Sequence, residues 1–292
     1  LKLKQALKIV LVFVFLCGAI LGSWAFWLEP ASLRNQNYEI TLSSWPAACD
    51  GIRVAILADL HVGSPFNGPD RLNRIVDLTL AAKPDVVLLA GDYVVHRVLG
   101  GTFVAPETIA TGLRALTASH GVFAVLGNHD HWHDAGRIVA AFSAVGIKFL
   151  EDDAVKVDTP PCSFWLVGLS DYWEGAHQYQ AAFARTPAGA AVIAFTHNPD
   201  IFPSLPAVAT IVFAGHTHGG QVYLPGLGRL IVPSRYGDRY AIGPIVENGR
   251  PMFVSPGIGT SILPVRFLVP PEVSVVTLRA NVSPRRNPAK AA

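Results

Sequence analysis

The sequence predicts an α/β fold, and two observations carry that expectation. Between residues 51 and 221, short apolar runs alternate with segments whose apolar residues recur every three or four positions, the signatures of strand and helix. After Gln221 the helical spacing stops, and Gly, Pro and β-branched residues dominate up to about residue 279, as strands and loops require. A βαβαβ first half joined to a strand-rich second half implies layers built on one mixed sheet or on two stacked sheets. A third feature stands outside this pattern: residues 9–28, IVLVFVFLCGAILGSWAFWL, contain no charge.

Twenty helical residues at about 1.5 Å each span about 30 Å, the thickness of a bilayer's hydrocarbon core. Lys2, Lys4 and Lys8 precede the run, Glu29, Pro30 and Arg34 follow it, and Trp24 and Trp27 lie near its outer end, where indole rings favour the interface. Residues 1–28 therefore read as a signal anchor that stays in the membrane bilayer. The competing readings are a cleaved signal peptide, a lipoprotein signal ending at Cys17 and a buried core helix. No small-x-small cleavage site follows the run, Leu16 is bulky where a lipoprotein signal carries a small residue, and a core helix would not be so uniformly apolar beside three lysines. Lysines before the anchor place the rest of the chain outside the cytoplasm. The net charge of +2 favours no polyanionic partner, so nucleic acid is not expected. Cys17, Cys49 and Cys162 form no CxxC and no zinc spacing; Cys49 and Cys162 either pair after export or remain free thiols.

Taken in order, residues 29–50 read as a juxtamembrane linker and an opening strand, NYEITL. GIRVAILADL is a strand, DRLNRIVDLTLAA an amphipathic helix, PDVVLLAGD a strand, ETIATGLRALTASH a helix and GVFAVLGNHD a strand. DAGRIVAAFSAVG is the next helix, followed by strands near IKFLE, AVKVD and SFWLVGLSD, a short helix at AAFARTP, and strands AAVIAFTH and ATIVFAG. Strands are then expected among YLPGLGRLIVPS, MFVSPGIGT and VSVVTL. The polar, basic stretch 281–292 is expected to be disordered, which leaves 51–280 as the folded domain.

Five polar clusters each follow an apolar strand: Asp59-Leu60-His61, Gly91-Asp92, Gly127-Asn128-His129-Asp130, His197, and Gly215-His216-Thr217-His218. Ligands of open α/β sheets bind beyond the carboxyl ends of strands, so the five can converge. Residues two apart on an extended chain face one side, which lets Asp59 and His61 share a target, as can His216 and His218. Singly, each cluster is as easily a turn, a cap or a core histidine. Together they offer carboxylate, imidazole and amide oxygen without thiolate, donors suited to Mn, Fe or Zn and too many for one tetrahedral ion.

DLH, GDYV, GNHD, the strand-end His197 and GHTHGGQ resemble the calcineurin-like metallophosphoesterase superfamily from about Arg53 to Leu278. GHTHGGQVYLPGLGRLIVPSRYGDRYAIG, FVSPGIGTSILPVRFLVPPE and the N-terminal apolar segment resemble the bacterial membrane-associated YaeI/YkuE-type phosphodiesterases. The resemblance implies a four-layer α-β-β-α sandwich of two mixed β-sheets flanked by helices. It implies two divalent metal ions, one held by Asp59, His61, Asp92 and His218 and one by Asp92, Asn128, His197 and His216, with a bridging hydroxide as nucleophile. His129 takes the catalytic position. It further implies a phosphodiesterase or pyrophosphatase at the bacterial inner membrane, acting on a small-molecule or lipid phosphoester such as UDP-2,3-diacylglucosamine, a cytoplasmic intermediate. That compartment conflicts with the charge-based topology. The alternatives are a nucleotide phosphodiesterase or nuclease and a non-catalytic scaffold. GDYVVHR carries Val95 where phosphoprotein phosphatases of this superfamily carry the Asp that orients the catalytic His, which disfavours that activity and leaves the orientation of His129 open. His96, His131, His133, Trp132, Tyr172 and Trp173 fit either a substrate mouth or ordinary surface and packing, and Arg71, Arg97 and Arg235 are candidate phosphate partners.

Overall fold

Strands form where apolar runs can be buried on both faces. β2 (Arg53–Leu57), β3 (Val86–Ala90) and β4 (Val122–Val125) are buried at nearly every position, as central parallel strands require. The computed structural model describes residues 2–281. β2, β3, β4 and the short β5 (Lys148–Phe149) run parallel; β12 (Glu272–Ala280) joins β2 antiparallel and carries β1 (Arg34–Leu42) parallel at the edge. The first sheet thus has the order β1-β12-β2-β3-β4-β5. The second has the order β10-β11-β9-β8-β7-β6, formed by β6 (Asp153–Thr159), β7 (Cys162–Gly168), β8 (Val192–Phe195), β9 (Ile211–Ala214), β10 (Gly243–Glu247) and β11 (Arg250–Val254). It is parallel in its middle and antiparallel at both ends.

The two sheets pack face to face through Ile56, Leu88, Phe123, Phe164, Phe195 and Phe213. Burying each such side chain contributes about 1.5–3 kcal/mol. Outside sheet 1 lie α3 (Pro69–Ala81), α4 (Pro106–Leu113) and α6 (Ala135–Ser143), which bury Leu72, Ile109, Leu113, Ile138 and Phe142. Outside sheet 2 the cover is thinner, with α7 (Tyr179–Ala184) and a 3-10 segment (Pro199–Ser204). The fold is the expected sandwich of two mixed sheets between helical layers.

Three local expectations change. GNHD does not end a strand but opens a helix, α5 (Asn128–His133). The helix expected to run to His120 stops at Leu113, because the following turn is held to Asp85: the Ser119 hydroxyl and the His120 N–H both donate to the Asp85 carbonyl. YLPGLGRLIVPS forms no strand, only isolated bridges and turns around its glycines and prolines. The expectation of a disordered tail falls, beyond Asn281, outside the described residues.

The apolar N-terminal segment forms one helix, α1 (Lys2–Ser23), continued by a π-helical turn (Trp24–Leu28) and α2 (Glu29–Ala31). From Leu3 to Ala31 it is long and apolar enough to cross a membrane, with mean hydropathy 2.5 and only 6% of its apolar window buried. Its far end is fastened to the domain. The buried Glu29 carboxylate accepts from the N–H groups of Leu268 (2.9 Å) and Val269 (2.5 Å), and Arg71 donates to the carbonyls of Ala31 and Ser32. Cys49, in the turn before β2, and Cys162, at the start of β7, form a disulfide between the two sheets.

Candidate metal centre

The parallel strands of both sheets end at the same edge, and their exits carry the polar clusters. β2 leads to Asp59 and His61, β3 to Asp92, β4 to Asn128 and His129, β8 to His197, and β9 to His216 and His218. All eight side chains are nearly excluded from solvent. Asp59, His61 and His218 form one group, His61, Asp92 and His129 a second, and Asp92, His197 and His216 a third, with donor atoms within 4.8 Å in each. Asn128 joins through its Oδ1, 3.2 Å from Nε2 of His197.

Five of these residues have a left-handed backbone: Asp59 (φ 52°), His61 (38°), Asp92 (57°), His216 (71°) and His218 (52°). That region disfavours residues with a Cβ, and such strain concentrates where function holds it in place. It turns the chain sharply at each strand exit and aims neighbouring side chains inward. The same crowding fixes the glycines. A Cβ on Gly127 would lie 2.2 Å from Asp92 Oδ1, and one on Gly257 (φ 69°) would lie 2.7 Å from the Cβ of Asp59.

The nitrogen and oxygen donor atoms face one another at 3.1–3.4 Å. His61 Nδ1 donates to the Val94 carbonyl (3.1 Å), which leaves the lone pair of a neutral ring on Nε2, 3.2 Å from His218 Nε2 and 3.4 Å from Asp92 Oδ2. His197 Nδ1 donates to the Ala90 carbonyl (2.8 Å), and its Nε2 stands 3.1 Å from His216 Nδ1 and 3.4 Å from Asp92 Oδ2. His218 Nε2 lies 3.4 Å from Asp59 Oδ1. Acceptors clustered in this way repel unless a proton or a metal ion lies between them, and the carbonyl-bound Nδ1 atoms hold the rings as metal ligands are held. The residues fit a metal ion.

Charge at the centre is unevenly shared. Burial pushes Asp59 up to about 7, partly opposed by His197. Burial also lowers His61 to about 3 and holds His216 and His218 well below the usual imidazole range, so these rings are neutral and ready to ligate. Burial acts upward on Asp92 too, but His197, His129 and His61 outweigh it and keep its carboxyl well below the ordinary value. His197 is the counterpart: burial pulls it down, and Asp92 more than compensates.

His129 stands beside this centre with its Nε2 3.9 Å from Asp92 Oδ2, while its backbone N–H donates to Asp92 Oδ1 (2.9 Å). Among the described residues its Nδ1 has no hydrogen-bond partner, and the ring packs against His61, His96 and Trp132, with centroids 4.7, 5.7 and 5.0 Å away. Asp130 serves a different purpose. Its carboxylate accepts from the N–H groups of Asp92 (2.8 Å), Tyr93 (2.9 Å) and Gly127 (2.9 Å), tying the GDYV turn to the GNHD turn. The sequence reading gave it no role, and only the run GNHD pointed to it. Trp132 (45% exposed) and Trp173 (44%) flank the rim, Trp173 meeting the His216 ring edge-on at 4.5 Å. Among the arginine candidates, Arg71 is engaged by carbonyls at the helix junction, Arg97 is exposed, and Arg235 donates to the Tyr172 hydroxyl (2.6 Å). His131 lines a neighbouring cavity of about 410 Å³ with Glu151 and Arg185, and His133 packs on Phe103.

A family profile described as calcineurin-like phosphoesterase matches residues 52–220, which contain every residue of this centre. The chain belongs to that family. As a calcineurin-like phosphoesterase it is a metal-dependent hydrolase. It is 27% identical to the uncharacterized metallophosphoesterase YkuE of Bacillus subtilis over 88% of this chain and 89% of that one. It is 30% identical to the phosphodiesterase YaeI of Escherichia coli over 77% of this chain and 82% of that one. A transmembrane protein with a metallophosphoesterase domain from Danio rerio is 25% identical over 83% of this chain and 56% of its own length. Among solved structures, the NAD nucleotidase of Haemophilus influenzae aligns with 70% of this chain and 44% of its own, with 17% identity and a TM-score of 0.46.

Proposed function

We propose that this calcineurin-like phosphoesterase is a membrane-anchored phosphodiesterase that uses two divalent ions to cleave a phosphodiester or phosphoanhydride bond in a lipid-linked substrate. Asp59, His61, Asp92 and His218 would hold one ion, and Asn128, His197 and His216 together with Asp92 would hold the other. The observation that carries this reading is the position of Asp92 Oδ2, 3.4 Å from Nε2 of both His61 and His197, whose other nitrogens already donate to carbonyls. Bound in pairs, such ions acidify a water and neutralise the phosphoryl oxygens.

The chain's own residues do the rest. The carbonyls of Val94 and Ala90 lock the rings of His61 and His197, and Asp130 holds the two turns that carry Asp92 and Asn128 in register. His129 offers its N–H to the leaving oxygen; burial lowers its pKa, so near neutral pH a hydrogen bond rather than a full proton is what it supplies. Trp132 and Trp173 offer apolar surface at the rim.

The exposed apolar helix supports anchoring, and a phosphodiesterase name among its relatives supports a diester as substrate. The lysines before the helix and the disulfide between Cys49 and Cys162 both favour an extracytoplasmic domain, since disulfides persist in oxidising compartments. A lipid phosphoester on the outer face therefore fits better than UDP-2,3-diacylglucosamine. The test is metal quantification on the purified full chain with turnover of bis-p-nitrophenyl phosphate, UDP-2,3-diacylglucosamine and a long-chain alkyl phosphodiester. About two ions per chain and diester cleavage are expected; a metal-free, inert protein would overturn the reading.

A further inference from the structure

Several loops near the polar strand exits carry large apolar residues into solvent. Phe66 is 36% exposed, Leu99 66%, Ile262 71%, Leu263 46% and Leu268 48%. Single exposed apolar residues are common, so what matters is whether these adjoin one another. They do so through backbone contacts. Leu99 N–H donates to the Ile262 carbonyl (2.9 Å), and a Cβ on the next residue, Gly100, would lie 3.4 Å from Pro65, which precedes Phe66. The loops of Phe66, Leu99 and Ile262 therefore form one surface.

That surface is continuous with the N-terminal helix. The Phe66 ring lies 5.8 Å from Trp27, Leu268 N–H donates to Glu29, and the N–H of the fully buried Arg266 donates to the Ala25 carbonyl (2.9 Å). Trp24 (46% exposed) and Trp27 (66%) stand at the junction, the level at which indoles mark the edge of a bilayer. Backbone conformation adds an independent observation. Phe66 (φ 64°), Ile262 (60°) and Leu268 (58°) are all left-handed. Gly or Asn fits such positions more easily, and a β-branched residue there is a clear outlier. Three bulky side chains held outward against backbone preference point to a partner outside the domain.

We propose that Phe66, Leu99, Ile262, Leu263 and Leu268 form an apolar collar seated in the interfacial layer of the same bilayer that the N-terminal helix crosses. The collar brings the metal centre's mouth to the lipid headgroups. It is built on the loops that carry the centre: Gly259, three residues before Ile262, donates its N–H to the Asp59 carbonyl (2.7 Å), and Leu99 follows the turn of Asp92 and His96. A lipid phosphoester then reaches the site while its acyl chains remain in the membrane. The inference rests on the anchored reading given above and deepens it.

The test uses the full chain in phosphatidylcholine–phosphatidylglycerol vesicles, with Cys17→Ser and a single Ile262→Cys or Val208→Cys carrying a nitrobenzoxadiazole label. Val208 is 52% exposed and precedes β9, at the end of the sandwich remote from the centre. The label at position 262 is expected to shift its emission to shorter wavelength and to be quenched several-fold more by headgroup-proximal spin-labelled lipid than the label at 208. Equal, water-like behaviour at both positions overturns the collar, whatever the enzyme hydrolyses. In a second arm, Phe66→Asn, Leu99→Gln, Ile262→Asn and Leu268→Asn are combined; Asn suits the left-handed positions. Turnover of soluble bis-p-nitrophenyl phosphate is expected to stay unchanged, while turnover of hexadecyl p-nitrophenyl phosphate in vesicles falls on the order of tenfold, the factor for 1.4 kcal/mol of lost seating. An equal effect on both substrates also overturns it. A seated label in a protein without metal or diesterase activity would instead refute the proposed function and leave the collar standing.

Discussion

The two sheets bring different chemistry to their shared edge. Sheet 1 supplies both carboxylates, Asp59 and Asp92, with His61, Asn128 and His129; sheet 2 supplies imidazoles alone, from His197, His216 and His218. The groups Asp59–His61–His218 and Asp92–His197–His216 each draw on both sheets. The carboxylate-bearing half and the imidazole half meet only when the sandwich is closed, so a cation between them would also join the two layers. At the opposite end the Cys49–Cys162 disulfide joins the same layers by covalent means. Under the proposed metal binding, the layers would be held by coordination at the site edge and by a covalent bond at the other.

Removing the shared carboxylate is the most direct way to break this arrangement. Asp92→Asn is expected to lower turnover of bis-p-nitrophenyl phosphate on the order of 10³-fold, by analogy with losing one preorganised electrostatic contact, and to deplete both metals in elemental analysis. Full metal content in that variant would refute the sharing. His129→Ala should cost about 10²-fold in turnover with metal content retained, because its ring assists the reaction without completing either half. An emptied site would mean that His129 is a ligand. Cys49→Ala combined with Cys162→Ala opens the remote end; denaturant unfolding should show a loss of about 2–5 kcal/mol, with activity per folded molecule intact. Chelation is the gentlest challenge. For each ion present at about 100 times its Kd, removal withdraws about 2.7 kcal/mol and lowers Tm by about 5–10 °C for a domain of this size, measured by calorimetry. An unchanged Tm would show that the metals do not hold the layers together.

How much of this was legible in the sequence depended on whether the signal was local. Runs such as VVLLA and VFAV declare buried strands because both faces are apolar, and the polar residues after them fall at strand exits by counting alone. Helix α5 escaped notice because NHDHWH has no apolar periodicity; it forms on backbone bonds and the capping of Gly127 by Asp130. Asp130 itself was silent because it acts on main-chain N–H groups, which no pattern of side chains reveals. The pairing of Cys49 with Cys162 spans 113 residues, a distance across which spacing carries no information. The collar residues were equally hidden: an isolated Leu99 or Ile262 reads as loop, and only the fold makes them neighbours.

The junction at Glu29 has a consequence for selectivity. Helix and domain are joined there by buried and half-buried hydrogen bonds rather than by a slack tether. Under the proposed anchoring, the catalytic mouth keeps a constant height above the hydrocarbon instead of sampling a range. Such an enzyme selects substrates by elevation: a phosphoester at the right depth is cleaved, and a chemically identical bond carried higher on a bulky headgroup is passed over.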